Sequence, residues 1–488
     1  MWPIETTQSH QYTPPMPDAT PVHRHAPDWI ILTIACLAQF MVVLDVSIVN
    51  VALPSMQRDP HFSLANAQWV VNAYVLTFAG FLLLGGRTAD LFGRRRVYLA
   101  GLALFTVASI GAGLATNGTQ MVAVRALQGI GGAILSPATL TIIVTTFRGP
   151  RLPKALGTWS AVAGAGGAVG GLLGGALTGW VSWRWIFFIN VPVGVVAGLL
   201  AALYLRELRH RDEEERLDVT GAVLVTGSLA AIIYAVVNTV TQSWTSTTTL
   251  AWLLGGLAGL AIFFWWEASV ATHPLLPYRI FRSRALSTSN IVMFLVGGAF
   301  FTMWYFLTFY YQYVLGYGAV KTGVAFLPMA LAIVVGAQLS SRILHRTHVR
   351  PLLLAGTALA TVGFAWVSRI GAHSSYAADV LVPSMLCAFA IGLLFTPLAS
   401  AATTGVDRAE AGLASGVLNT ARQIGGSLAL AALGTVAADR SNTFRVATSH
   451  LALASGYDRA FQLSAAITAL ALVVSLAVPR YVTPHPGH

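Results

Sequence analysis

Apolar residues in this chain come in long unbroken runs, separated by short polar turns. Many of the runs carry no charge over about 18 residues or more, the length a helix needs to cross roughly 30 Å of hydrocarbon. A membrane barrel would show alternating segments of about ten residues. Unbroken runs instead predict helices, which satisfy their own backbone groups in lipid. The runs place spans near 29–52, 67–86, 97–116, 119–145, 155–180, 184–205, 217–241, 249–271, 285–312, 322–341, 351–370, 379–400, 409–437 and 457–479.

Composition agrees with lipid as the bulk solvent. Of 488 residues, 56% are hydrophobic and 10% charged, whereas a soluble domain carries about 25% charged residues. The expected fold class is an all-α integral membrane protein of fourteen transmembrane helices. The net charge of +11 does not imply nucleic acid, because the basic residues are scattered between apolar runs and form no stripe. Their distribution is topological. Lys and Arg number 20 in the tails and even-numbered loops against 7 in the odd-numbered loops. That bias puts both termini in the cytoplasm of a plasma (inner) membrane protein. Cys36 and Cys387 fall inside predicted spans and read as small apolar residues, not a disulfide. Residues 1–28 are Pro-rich and polar without an apolar core, so a disordered cytoplasmic tail is expected and no secretory signal.

The charged run RELRHRDEEERLD (206–218) reads as a solvated linker, with six spans before it and eight after. A weak internal repeat refines the division. Displaced by 255 residues, GRTADLFGRRRVYLAG (86–101) lies over SRILHRTHVRPLLLAG (341–356), and both copies join two spans through a basic turn. That offset exceeds six spans, so two extra helices sit between the halves. The expected organisation is a tail (1–28), a six-helix half (29–206), a linker with two inserted helices (207–284), a second six-helix half (285–480) and a short cytoplasmic tail (481–488). Parallel halves of six are a known transporter plan.

LDVSIVNVALP (44–54), GRTADLFGRRR (86–96) and RALQGIGGA (125–133) resemble signatures of the major facilitator superfamily. WRWIFFINVPVG (183–194) and SGVLNTARQIGG (415–426) are similar to its fourteen-span drug:proton antiporter branch, of multidrug efflux type. The resemblance covers about residues 29–480. It implies a proton-coupled antiporter that exports drugs, with a latch at Gly86, Asp90, Gly93, Arg94 and Arg95 joining the halves on the cytoplasmic side in the outward-facing state. Gly86 and Gly93 would permit close backbone approach at a tight turn. The alternative is a plain positive-inside anchor. His345 and His348 replace Asp90 and Gly93 in the second copy, so no equivalent latch is expected there.

Only Asp45, of 18 acidic residues, lies well within a span. A charge at a helix centre costs roughly 2.5–3.5 kcal/mol on insertion scales, so it calls for a partner or a task. Asp45 lies roughly 10 Å from the outer end of its helix and Arg125 roughly 9 Å from the outer end of another. The matched depths predict a pair. Its role is either proton handling, which the resemblance also assigns, or a static buried ion pair. Glu267, near a cytoplasmic end, is expected to snorkel. Arg422, near a midplane without an acid at similar depth, is expected to line a watery cavity, bond helix carbonyls or contact substrate. Gly166, Gly170 and Gly174, with Gly171 and Gly175 beside them, form close-packing faces on the fifth span. The family's antiporter signature has Gly-Pro where this chain has Gly170-Gly171. Ten aromatics between Phe300 and Tyr317 form either an interface belt or, with Trp304, Tyr305 and Gln312, a wall beside a central cavity.

No phosphate loop of the form GxxxxGK[ST] exists, since Lys154 follows Pro and Lys321 follows Val. An ion gradient is therefore the expected energy source, with no cofactor and no metal. The expected partners are protons, lipid and a small-molecule substrate, largely apolar and neutral or monocationic, handled by a functional monomer. The rival classes are proton-coupled nutrient uptake by the same fold and a non-transporting receptor or scaffold. An enzyme is not expected, because no metal-spaced cluster or Ser-His-Asp set lies in the spans.

Overall fold

The computed structural model describes residues 27–479 apart from 59–63, 149–150, 206, 208–216, 240–241, 273, 277, 345–346, 404–410, 445 and 447–448. The expected terminal tails and most of the linker thus lie outside the described residues. The described chain is helical throughout, without a strand. Its long helices are α1 (Asp28–Gln57), α2 (Leu64–Phe92), α3 (Arg94–Leu114), α4 (Gly118–Thr146) and α5 (Arg151–Trp180). They continue with α6 (Trp185–Tyr204), α7 (Val219–Asn238), α8 (Thr247–Ser269), α9 (Arg284–Val314) and α10 (Ala319–Leu344). The last are α11 (Val349–Val367), α12 (Tyr376–Thr403), α13 (Ala411–Asn442) and α14 (His450–Ser475).

Twelve helices among the described residues are long and apolar enough to cross a membrane, two fewer than the sequence reading expects. The other two, α5 and α13, have 30 and 32 residues. They are built from small residues and, in α13, from Asn419, Arg422 and Gln423.

Polar caps start several helices where the apolar runs begin. Asn117, Asp218, Ser246, Ser283 and Ser449 each accept a bond from a backbone N–H one turn into α4, α7, α8, α9 and α14, which satisfies donors that lipid could not. The aromatic run ends differently. Tyr310–Val314 is a π-turn continuing α9, a local widening that periodicity does not announce.

Two bundles repeat one pairing scheme. In the first, α1 packs on α5, α2 on α4, and α3 on α4 and α6. In the second, α9 packs on α13, α10 on α12, and α11 on α12 and α14. The bundles meet along two seams, α2 with α13 and α5 with α10. The α7–α8 hairpin lies over the first. Leu229, Ile233 and Val237 of α7 form one buried cluster with Leu76 of α2 and Ala431 of α13, and Thr435 donates 3.0 Å to the Val236 carbonyl.

Glu267 does not snorkel. It is buried at the C-terminal end of α8, where its Oε2 accepts the Leu276 N–H at 2.9 Å and its Oε1, near Asp218, has no described hydrogen-bond partner. Asp218 in turn caps α7 and accepts from Trp266 Nε1 at 3.0 Å. Leu276 thus offers Glu267 a backbone donor in place of water.

Candidate functional site

Antiparallel helices α1 and α4 bring Asp45 and Arg125 together, with Arg125 Nη1 2.5 Å from Asp45 Oδ2. Both are buried, at 0% and 1% exposure, so each charge has only protein to solvate it. A wider network supplies that solvation. Gln128 Nε2 donates to Asp45 Oδ1 at 2.8 Å, and Asn190 Nδ2 to the same oxygen at 3.3 Å. Both amides also reach Ser109 Oγ, which donates to the Phe187 carbonyl at 2.9 Å. Arg125 is shared among Asp45, Gln128 Oε1 at 2.7 Å and the Val70 carbonyl at 3.1 Å. Its guanidinium lies 4.3 Å over the Tyr74 ring, a cation–π contact in a dry site. Three N–H donors thus converge on the one carboxyl group of Asp45.

Matched depths found the pair but not its surroundings. Gln128 was legible, lying three residues after Arg125 and hence on the same helical face. Asn190 is the one uncharged polar side chain in WRWIFFINVPVG apart from the indoles, a signal that an apolar helix start does not otherwise need.

A cavity of about 270 Å³ lies between the bundles. Val42, Val43, Val46, Ser47 and Asn50 of α1 form one wall, joined by Phe78, Ser136 and Gly167. Phe300, Phe301 and Trp304 of α9, Phe395 of α12, and Asn419, Arg422 and Gln423 of α13 line the other side. Asp45 is not among these residues, because it leaves α1 on the opposite face, toward α4 and α6. One helix thus separates the buried carboxylate from the cavity.

Two residues expected beside the cavity are elsewhere. Tyr305 is buried against Phe306 and Phe309; one residue along a helix turns the side chain by about 100°, away from the direction of Trp304. Gln312 lies eight residues beyond Trp304, about 12 Å farther along the axis. It bridges to the C-terminal part of α1, donating 2.8 Å to the Val51 carbonyl, beside Tyr313, which donates to the Pro54 carbonyl at 3.2 Å. Arg422 does line the cavity, and it is the one charged group there among the described residues.

The glycines of α5 divide by face. Gly166, Gly170 and Gly174 meet α1: a Cβ at Gly174 would lie 2.7 Å from the Ile48 carbonyl oxygen, and one at Gly170 would strike the Ser47 hydroxyl. Gly171 and Gly175 meet α10, where a Cβ at Gly175 would lie 2.5 Å from the Ala319 carbonyl oxygen.

The turn after α2 also departs from expectation. Gly93 makes it, at φ 93°, a conformation that favours glycine. Gly86 lies inside α2, where an added Cβ would find only ordinary contact with Pro137 at 3.8 Å, so it takes no part in the turn. The side chain of Asp90 lies outside the described residues. Arg95 donates 2.6 Å to the Ala202 carbonyl at the end of α6, and Arg96 lies 3.7 Å from Glu207. Those contacts fall within the first bundle and the start of the linker rather than across to the second bundle, and no contact of Arg94 with the second bundle is described. In the second copy His348 precedes α11 at φ −79°, a value open to any residue, so glycine is not required.

Comparison with known proteins bears on the whole arrangement. The chain is 42% identical over 446 residues to the cephamycin export protein CmcT of Amycolatopsis lactamdurans, covering 91% of this chain and 90% of that one. It is 40% identical to the puromycin resistance protein pur8 of Streptomyces alboniger, covering 84% and 81%. A solved D-xylose-proton symporter superposes with a TM-score of 0.67 over 93% of this chain and 99% of that one, at 13% identity, a likeness of fold alone. The family model described as Major Facilitator Superfamily matches residues 35–430. With repeated six-helix pairing, a cavity between the bundles and that match over most of its length, this multi-pass membrane chain belongs to the Major Facilitator Superfamily.

Proposed function

We propose that the protein is a proton-coupled antiporter exporting small, largely apolar molecules across the plasma membrane. The observation that carries this is the two-sided use of α1. Its one face closes the solute cavity and its other holds the buried carboxylate, so protonation on one side and occupancy on the other act on the same helix. The relatives named as export and resistance proteins support the outward direction.

In this reading all fourteen helices span the bilayer. At 1.5 Å per residue, α5 and α13 are each about 45 Å long, and their small or polar residues face other helices and the cavity. Residues 29–206 and 285–480 are the moving halves, 207–284 carries the inserted pair, and both termini are cytoplasmic. Export needs no cofactor or second subunit: one proton crossing about 100 mV supplies roughly 2.3 kcal/mol, enough for roughly fifty-fold accumulation of a neutral solute. In the present arrangement Asp45 is paired with Arg125. Opening toward the outside would loosen its donors and admit a proton, and return would expel it as Arg125, Gln128 and Asn190 close again. The turn with Asp90, Gly93, Arg94 and Arg95 would meet the second half in that outward-facing state.

The test is accumulation of a lipophilic fluorescent dye in inverted membrane vesicles under an imposed pH gradient. Wild type should accumulate it and lose it on collapse of the gradient, and Asp45→Asn should abolish gradient-driven uptake while remaining inserted. Near-normal activity in that variant would remove Asp45 as the proton carrier. Dye movement in the reverse direction would make the protein an importer.

A further inference from the structure

We infer that the cavity selects solutes bearing a single negative charge, a carboxylate or its equivalent on an apolar body, and that Arg422 is the group receiving it. The inference rests on reading the cavity as the transport site.

Arg422 is the one charged side chain lining the cavity among the described residues. The ion pairs among the described residues involve Arg96, Arg125 and Arg151, and none involves Arg422. Its Nε and Nη2 both donate to Asn419 Oδ1, at 3.2 and 2.7 Å. That neutral anchor fixes the guanidinium plane and leaves Nη1 without a described acceptor. The Phe395 ring stands 5.9 Å from its Cζ, and α9 presses on its backbone, where a Cβ at Gly297 would lie 2.6 Å from the Arg422 carbonyl oxygen.

A cation held this way, bonded but not neutralised, is the costly half of an unmade pair. A carboxylate entering the cavity would complete it with charge-assisted bonds to the guanidinium fork. The same positive charge opposes an entering ammonium. Among the described residues no acid lines the cavity to offset it, and Asp45 is fully buried and engaged with Arg125. Monocationic solutes, expected from the sequence, are therefore disfavoured. A dianion is disfavoured too, for want of a second cation among the described residues lining the cavity. Phe300, Phe301 and Trp304 make the remaining wall aromatic, which suits an aryl or alkyl body.

The experiment titrates 2-naphthoate, its methyl ester and 2-naphthylmethylammonium against the purified full-length protein in detergent, by fluorescence. Wild type should bind the carboxylate at least about tenfold more tightly than the ester, in line with charge-assisted hydrogen bonding, and the ammonium most weakly. Arg422→Gln should bring the carboxylate-to-ester ratio to about one. Arg422→Lys, which keeps the charge but not the fork, should retain part of it and decides the matter if the glutamine variant does not fold. A wild-type ratio near or below one, an unchanged ratio in either variant, or no binding of any probe overturns the inference. Vesicle transport of the same probes separates it from the export reading: selective binding without pumping would refute export and leave the role of Arg422 standing.

Discussion

Deleting one partner of the buried pair should damage the protein far more than deleting both. In Asp45→Asn the carboxylate loses its charge while Arg125 stays at 1% exposure. The arginine then keeps only the Val70 carbonyl, Gln128 Oε1 and the Tyr74 ring as partners. An uncompensated buried charge of this kind costs about 3–5 kcal/mol. Arg125→Gln leaves the reverse problem, a carboxylate facing two amides, at similar cost. The double variant leaves no charge, and its two introduced amides can bond each other and the amides of Gln128 and Asn190, so its cost should be about 1–3 kcal/mol. The implied coupling is about 3 kcal/mol or more, against roughly 0.5 kcal/mol for independent sites. Unfolding of the four proteins in mixed micelles, followed by tryptophan fluorescence, measures it. Additivity of the two single changes within that margin would show that the network solvates each charge separately, and the pairing argument would fail. Transport should not be rescued with stability, because the double variant has no titrating group at this site.

The wall of the cavity can be told from the packing behind it: Trp304→Ala should weaken dye binding while Tyr305→Ala, deeper in α9, should mainly lower stability by about 3 kcal/mol, and equal effects on binding would contradict the helical phase. Glu267→Gln should stabilise by about 1 kcal/mol at neutral pH, since its amide can donate to Asp218 while its oxygen still accepts from Leu276; a lower thermal midpoint would mean that the two carboxyls already share a proton well enough.

The two parts of the site were legible to different degrees. Asp45 and Arg125 could be matched because helix rise converts residue number into depth, and direction follows from the basic loops. Rotation is harder to read. Ten aromatics in eighteen positions give α9 no polar face to set its phase, so Tyr305 could not be distinguished from Trp304, and the π-turn then displaced everything beyond Phe309. Gly86 was misplaced for a related reason: spacing within a motif does not show where a helix ends, whereas the left-handed backbone at Gly93 does. The expectation of two halves came from one weak repeat, which carries no record of which helices pair within each. The seat of α7 and α8 did not, because an apolar helix that must face lipid on one side carries little record of which bundle it touches on the other.

That seat governs how the protein meets the bilayer. The hairpin covers the α2–α13 seam and turns outward Trp252, Leu254, Leu257, Phe264 and Trp265, all about half exposed or more. Acyl chains therefore wet the hairpin on that flank and cannot enter between the bundles there. On the opposite flank no described helix covers the α5–α10 seam, which is shut by glycine-to-backbone contact at Gly171 and Gly175. A solute partitioned into the membrane would meet a doubled wall from one side and a single layer of small residues from the other. Lateral access in such a molecule is polarised: only the α5–α10 fissure lacks a described covering hairpin.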